Sequence, residues 1–415
     1  MGEGGILGAL RSGDWLTPSR LIVYPRLLLA AFIIGFIALF ATSANRIDAY
    51  GQPLGTDFSQ VWIAGGEVLA GEPDAPFDPA RHFARQRREF GAATPLFGWH
   101  YPPYFLAIAA LTATLPYLPA LFLWQLLSLP LYLAAVFAPL RDARLPKDTV
   151  LVAALAFPAV AVNIAHGHNG FLSAGLLAGG CLLLPRFPVA AGAAFALLAY
   201  KPHFGIVVPI ALLAGGYWRA IVAAGATLAL MTAACVAAFG LTTWTAFLDS
   251  LPFTRLVLEE GGPGFDKIQS VFAAIRLLGG SVRLAYLAQG AVSLAVIAGL
   301  SLLWRSNADF RAKTAALLIA ALLTTPYGFD YDMALLGPAI AAMSSLGLQR
   351  GFLPYEKTLL AVVWIMPLLA RMASGALFLP FGTLTMLAFF VFVMRRRSDA
   401  NDSPLIHAPA LEAIR

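Results

Sequence analysis

Apolar residues in this chain fall in unbroken runs, such as LLLAAFIIGFIALFA, LVAALAFPAVAV and LAFFVFVM, rather than in the stripes of a surface helix. A stripe buries one helix face against a core, whereas an unbroken run is apolar all round and suits hydrocarbon; about 20 such residues cross a bilayer. On this pattern twelve segments read as transmembrane helices: 21–42, 119–140, 149–165, 169–184, 187–200, 204–216, 219–240, 283–304, 312–325, 332–348, 356–373 and 376–394. They recur with one long polar interruption, so the expected architecture is a single all-α integral membrane domain over 21–397. Residues 1–20 read as a cytoplasmic N-terminal segment without a removable signal sequence, and 398–415 as a disordered cytoplasmic tail.

Two apolar stretches do not fit the scheme. Residues 103–116 would rise only about 20 Å as a helix and read as half-inserted beside the bundle. Residues 268–280, where Arg276 interrupts an apolar face, read as interfacial. Within the polar interruption, a first outer loop over 43–102, DFSQVWIAGGEVLAG has apolar residues at helical spacing after Asp57 in an N-cap-like position. DPARHFARQRREFG resembles a second amphipathic helix capped by Asp78. The loop is therefore expected to be ordered and helical, and a second outer loop, 241–282, completes the exterior. No internal repeat marks a transporter built of two halves.

Composition agrees: of 415 residues 59% are hydrophobic and 12% charged, against about 45–50% and about 25% in soluble domains. A soluble fold, a disordered chain and a disulfide scaffold all drop out. The net charge of +6 would raise nucleic acid in a soluble protein. Here Lys and Arg gather in short connectors, RDARLPKD, WRSNADFRAK and MRRRSD, which the positive-inside bias assigns to the cytoplasm, so no nucleic-acid partner is expected. The twelve-span scheme then has its N-terminus inside, in a bacterial inner (plasma) membrane. Cys181 and Cys235 lie within apolar runs and fit no zinc spacing.

This topology brings a set of polar side chains to the outer helix ends: Asp57, His100, Tyr101, His166, His168, Asn169, Lys201, His203, Gln269, Arg276, Asp330 and Asp332. Ionisable groups beside lipid are costly and tend to be functional. Asp57 has two readings, a helix N-cap or a general base. Lys201 is either a snorkelling anchor or a phosphate ligand, and Arg276 either a phosphate contact or a solvated surface group. Asp330 and Asp332 could cap a turn, support a base or take part in a divalent metal site. His166, His168, Asn169 and His203 suit helix capping or hydrogen bonds to hydroxyls, and a zinc pair at 166 and 168 lacks a third ligand. His100, Tyr101, Trp62, Trp99 and Tyr104 form either an aromatic floor for a sugar or an interfacial belt.

The segments GTDFSQVWIAGGEVLAG, HYPPYFLAIAAL, GHNGFLSAGLLAGG, LLAYKPHFG, IQSVFAAIRLLG and TTPYGFDYDMALLGP, in that order over 55–340, resemble the glycosyltransferase 87 family. The resemblance implies a GT-C type bundle of about twelve transmembrane helices. It further implies transfer of a hexose, mannose in the mannosyltransferase-like members, from a polyprenyl-phosphate donor to a lipid-linked or envelope glycan acceptor on the non-cytoplasmic side. In that reading Asp57 is the base, Asp330 and Asp332 assist it, and Lys201 and Arg276 hold the donor phosphate. His168, Asn169, His203, Gln269, His100 and Tyr101 contact substrate, and no resident cofactor is implied. His168 stands where many relatives carry Gln, and TTPYGFDYDM lacks the histidines of the mannoside branch, so no histidine role transfers to that turn. The rival reading is a polytopic lipid or polyprenol transporter without enzymatic activity.

Overall fold

In the computed structural model, residues 5–143 and 145–396 are described; the expected tail at 398–415 lies outside them. The described chain is helical. Its first half holds α1 (Ile6–Ser12), α2 (Pro18–Ala41), α3 (Thr56–Leu69), α4 (Pro79–Phe90), α5 (Leu106–Ala113), α6 (Tyr117–Leu140), α7 (Lys147–Leu155), α8 (Pro158–His166), α9 (Gly170–Leu183) and α10 (Pro188–Leu197). The second holds α11 (Pro202–Gly205), α12 (Val207–Gly215), α13 (Trp218–Phe239), α14 (Leu241–Glu260), α15 (Val271–Leu277), α16 (Val282–Arg305), α17 (Phe310–Leu323), α18 (Leu336–Arg350), α19 (Glu356–Leu377) and α20 (Phe381–Arg395).

Local chemistry sets many of these boundaries. Thr17 caps α2 by accepting from the Arg20 amide, with Pro18 at the first helical position, and Ser281 and Asp309 cap α16 and α17 in the same way. Asp78 accepts from the amides of Ala80 and Arg81 and opens α4, as its sequence pattern predicts. Pro158 lacks an amide hydrogen and disfavours helical backbone at Phe157, and the apolar segment 149–165 is accordingly not one rod: α7 and α8 meet at 52°.

By length and apolarity, α2, α6, α13, α16, α19 and the stretch Asp330–Arg350 can each cross a membrane, and the bent pair α7–α8 adds a seventh. Shorter apolar helices, α9, α10, α12 and α20, pack among them. Two helix boundaries differ from expectation. Segment 204–216 is divided into α11 and α12, and α19 runs on to Leu377, so the last helix begins at Phe381 rather than at 376. The segment 241–282, expected as a second outer loop, carries a 20-residue helix, α14, which its mixed polarity hides from a hydropathy reading. Residues 268–280 hold only the seven-residue α15, and 103–116 the eight-residue α5 laid against α3.

Burial separates centre from periphery. In the apolar windows of α2 and α13 only 6% of residues are buried, against 83% in that of Asp330–Arg350. Beside that stretch, every residue of α17 from Ala315 to Leu323 is buried. Between helices without water to expel, close approach of backbones supplies much of the cohesion. Gly65 lets α3 rest on α5, and Gly192 lets α10 rest on α13; a Cβ at either would collide with a carbonyl oxygen, that of Ala109 or Ala220.

The two ends of the bundle differ. At one, the segment after α1 folds onto the start of α19: Trp15 Nε1 donates to Thr358 Oγ1 at 2.8 Å, and the Tyr355 amide to the Arg11 carbonyl at 2.7 Å. A buried Glu356–Arg396 pair joins α19 to the end of α20 there. Fifteen residues along α19, roughly 22 Å away, Arg371 meets Asp266 at 3.2 Å. That second end carries α3 and α4, joined by a fully buried Glu67–His82 contact of 2.9 Å.

Gly65→Ala is expected to destabilise the folded protein by about 1–3 kcal/mol through overpacking. Gly179→Ala in α9, where nothing stands within 4 Å of a new Cβ, should be neutral or slightly stabilising. Thermal unfolding in detergent checks both; equal midpoints for the two variants would contradict the packing argument.

Candidate active site

Two glycines in left-handed conformation bring α3 and α8 together. Gly55 (φ 70°) precedes α3, and Gly167 (φ 59°) ends α8. A Cβ on Gly167 would stand 2.6 Å from Phe58 Cβ and 3.3 Å from the Gly55 carbonyl oxygen, so a side chain there would push the two turns apart. With none, Thr56 Oγ1 lies 2.6 Å from His166 Nδ1, and Asp57 Oδ2 lies 3.2 Å from the same nitrogen.

The N-cap reading of Asp57 does not hold. Gly55 is the N-cap residue, no side chain caps α3, and Asp57 sits in its first turn. The second partner of its carboxylate is Lys267, whose Nζ stands 3.4 Å from Oδ2. Lys267 is held by backbone on both sides. The Asp330 amide donates to the Lys267 carbonyl at 3.1 Å, and the Gln269 amide to the Gly328 carbonyl at 2.7 Å. Burial pushes the Asp57 carboxyl up, but the Lys267 ammonium and the His166 contacts outweigh it and hold the group well below the usual carboxylate range.

Tyr331 joins this cluster to a second one. The His168 ring stacks on it at 3.6 Å, Phe329 lies at 5.2 Å, and the ammonium groups of Lys267 and Lys201 stand 5.3 and 5.6 Å from its centroid. Lys201 does not face Asp57. Its Nζ meets Asp332 Oδ1 at 2.5 Å with the side chains only 4% and 1% exposed, while Asp332 Oδ2 accepts from the Phe329 amide at 3.1 Å. Both carboxylate oxygens of Asp332 thus have partners within the protein. Asp330 turns one oxygen to the Tyr331 amide, at 2.9 Å, as a turn-forming Asp does.

Tyr101 supplies a buried wall. Its hydroxyl bonds His168 Nε2 at 3.0 Å and accepts from Asn169 Nδ2 at 2.9 Å, and its ring packs on Trp99 and Phe105. His168 Nδ1, Asn169 Oδ1 and Trp99 Nε1 are buried without a partner among the described residues, as is Oε1 of Gln60, one turn along α3 from Asp57. A buried polar atom left unpaired costs about 1–3 kcal/mol, and these four include a donor, Trp99 Nε1, and acceptors, Asn169 Oδ1 and Gln60 Oε1.

The remaining expected residues divide. His100 bonds Thr254 Oγ1 at 2.8 Å, and both it and His203 pack on Tyr327, forming a layer beside the cluster. Burial, reinforced by His82 and opposed by Asp57, pushes His100 down to about 4. Arg276 donates to the carbonyls of Gly280 and Glu259 and lies over Phe265, stapling α14 to α15, while its Nε is buried without a partner among the described residues. Gln269 donates to the Asp266 carbonyl and so shapes the turn that presents Lys267. Trp62 bonds the Leu115 carbonyl and Tyr104 bonds Thr232, and both pack, partly buried, against the hydrophobic cluster that joins α3, α5 and α6. Among the described residues no group of three or more His, Cys, Asp or Glu is set to hold a metal.

The family model for glycosyltransferase family 87 matches residues 99–326, more than half of the chain and a span that includes His100, Tyr101, His166, His168, Lys201 and Lys267. No curated protein and no solved structure gives a match.

Two outcomes follow from this geometry. Lys201→Met should destabilise the fold by about 3–5 kcal/mol by leaving Asp332 buried and unpaired, and Lys201→Met with Asp332→Leu should recover much of that; a double-mutant cycle of thermal unfolding reads the difference. His100, its folded value depressed, contributes stability that is fully present above the ordinary histidine value of about 6.5 and is lost as pH falls towards about 4. Its ring resonance should therefore not titrate between pH 5 and 8.

Proposed function

The chain belongs to glycosyltransferase family 87 and is a membrane glycosyltransferase; from that membership and the Asp57 cluster we propose that it transfers a hexose, mannose foremost, from a polyprenyl-phosphate sugar to a lipid-linked or envelope glycan acceptor. The observation that carries this reading is the placement of Asp57 between His166 and Lys267, 3.2 and 3.4 Å away, at one end of the bundle and 12% exposed. A carboxylate beside a cation is what inverting transfer from a phosphate needs. The acceptor hydroxyl oxygen attacks the anomeric carbon, the bond from that carbon to the phosphate oxygen breaks, and the electron pair leaves with the phosphate. The hydroxyl proton goes to Asp57.

In this reading Lys267 meets the phosphate, a role that the family resemblance assigns to Lys201 and Arg276. Lys201, paired with Asp332, keeps the Tyr331 layer in place. His166 orients the carboxylate, and Trp99, His168, Asn169 and Gln60 offer their unpaired atoms to sugar hydroxyls. The proposed location is a bacterial inner membrane with the site facing away from the cytoplasm. Its support is the cation-rich connectors RDARLPKD and WRSNADFRAK, whose Asp148 and Asp309 are themselves met by Arg26 and by Arg311 and Arg350.

With purified protein, polyprenyl-phosphate mannose and a panel of glycan and lipid acceptors, Asp57→Asn should lower transfer by about 10²–10⁴-fold while the protein stays folded. Full activity in that variant would remove Asp57 from the mechanism. Because Asp57 is held below the usual range in the free protein, it stays ionised as pH falls through ordinary carboxylate values, and kcat/KM should show no acid limb there.

A further inference from the structure

The two lysine–carboxylate pairs on either side of Tyr331 are built differently. Lys201–Asp332 is short, 2.5 Å, nearly free of solvent, and fastened by a third bond from the Phe329 amide. Lys267–Asp57 is 3.4 Å long with both side chains 12% exposed, and Asp57 keeps His166 as a second partner. Breaking the first pair would strand a charge among apolar groups; breaking the second would leave each ion beside water and, for Asp57, beside another donor. The Lys267 backbone is pinned by the bonds at Asp330 and Gln269, so only its flexible four-carbon stem can move. Its ammonium lies 5.9 Å from the Phe329 ring and 5.3 Å from the Tyr331 ring, two aromatic faces that can hold a cation off the carboxylate.

We propose that Lys267 is a displaceable clamp on Asp57: an anionic phosphate arriving at this end of the bundle draws the Lys267 ammonium to itself, and the carboxylate so released becomes the group that accepts the acceptor's proton. The inference rests on the reading of the cluster as a phosphate-dependent transfer site and adds its control. With the clamp closed, the ion pair makes Asp57 a weak base. With phosphate bound, the cation has left and an anion stands nearby, and both changes favour proton uptake by the carboxylate. Donor binding thus prepares the base before the acceptor is used. By linkage, whatever frees Lys267 from Asp57 must also favour phosphate binding.

That reciprocity gives the test. Binding of farnesyl phosphate, a short polyprenyl monophosphate, is measured by calorimetry in detergent for the full-length wild type, Asp57→Asn, Lys267→Ala and the double variant, each checked for folding by thermal unfolding. Asp57→Asn should bind about 5- to 50-fold more tightly than wild type, because its lysine is already free. Lys267→Ala should bind more weakly than wild type, and in that background Asp57→Asn should bring no gain. Lys267→Met, which keeps the stem's packing, replaces Ala if the latter fails to fold, and Lys267→Arg should restore both binding and coupling. An equal gain from Asp57→Asn with and without Lys267 would overturn the clamp, since simple repulsion between carboxylate and phosphate would then account for it. No change on Asp57→Asn would overturn it too. Absence of binding in every variant would instead remove the polyprenyl-phosphate reading on which the clamp rests.

Discussion

An ionised side chain withdrawn from water is stable only when a partner meets it, and in a bundle made mostly of apolar residues this constraint decides which helix ends can lie together. Asp57 on α3 is met by His166 at the end of α8 and by Lys267 ahead of α15. Asp332, ahead of α18, is met by Lys201 at the break between α10 and α11. Glu67 on α3 is met by His82 on α4. These pairs tie segments far apart in the chain to one end of the bundle.

The same constraint also separates scaffold from chemistry. The Lys201–Asp332 pair is dry and closed, and it fixes the turn on which Tyr331 stands. The Lys267–Asp57 pair has solvent at its edge, and Asp57 keeps His166 as a second partner. Glycine enters where charge pairing needs two turns closer than side chains allow, as at Gly55 against Gly167. The buried atoms of Trp99, His168 and Asn169 without partners among the described residues, next to Tyr101, are the reverse case, polar groups that the packing leaves unpaired.

Much of the fold is legible along the chain, because an apolar run signals a membrane helix wherever it occurs and a cap is read within four residues. Asp78 and α4 show this, as do the helices standing on each of the twelve apolar segments. What escapes is α14, whose interspersed Thr, Asp and Glu lower its hydropathy, and the break at Phe157, where one proline bends an otherwise continuous run. At the site, the residue types were visible and their partners were not. Arg276 carries the charge expected of a phosphate ligand yet bonds two backbone carbonyls, and Asp332 looks like a base yet holds a lysine. Lys267, in GFDKIQS, has no apolar neighbourhood to make its charge conspicuous, and only its contact with Asp57 singles it out.

By itself, then, the sequence determined the all-helical membrane bundle, the family, and the gathering of Asp57, His166, His168 and Lys201 at one end, since apolar runs, charge bias and ordered motifs are properties of neighbouring residues. Tertiary structure alone decided which charges meet. Asp57 and Lys267 are 210 residues apart, and Lys201 and Asp332 are 131 apart. A contact across such a distance follows from the packing of helices whose facing surfaces are apolar and nearly interchangeable in sequence, so no local spacing encodes that Asp57 faces Lys267 and not Lys201.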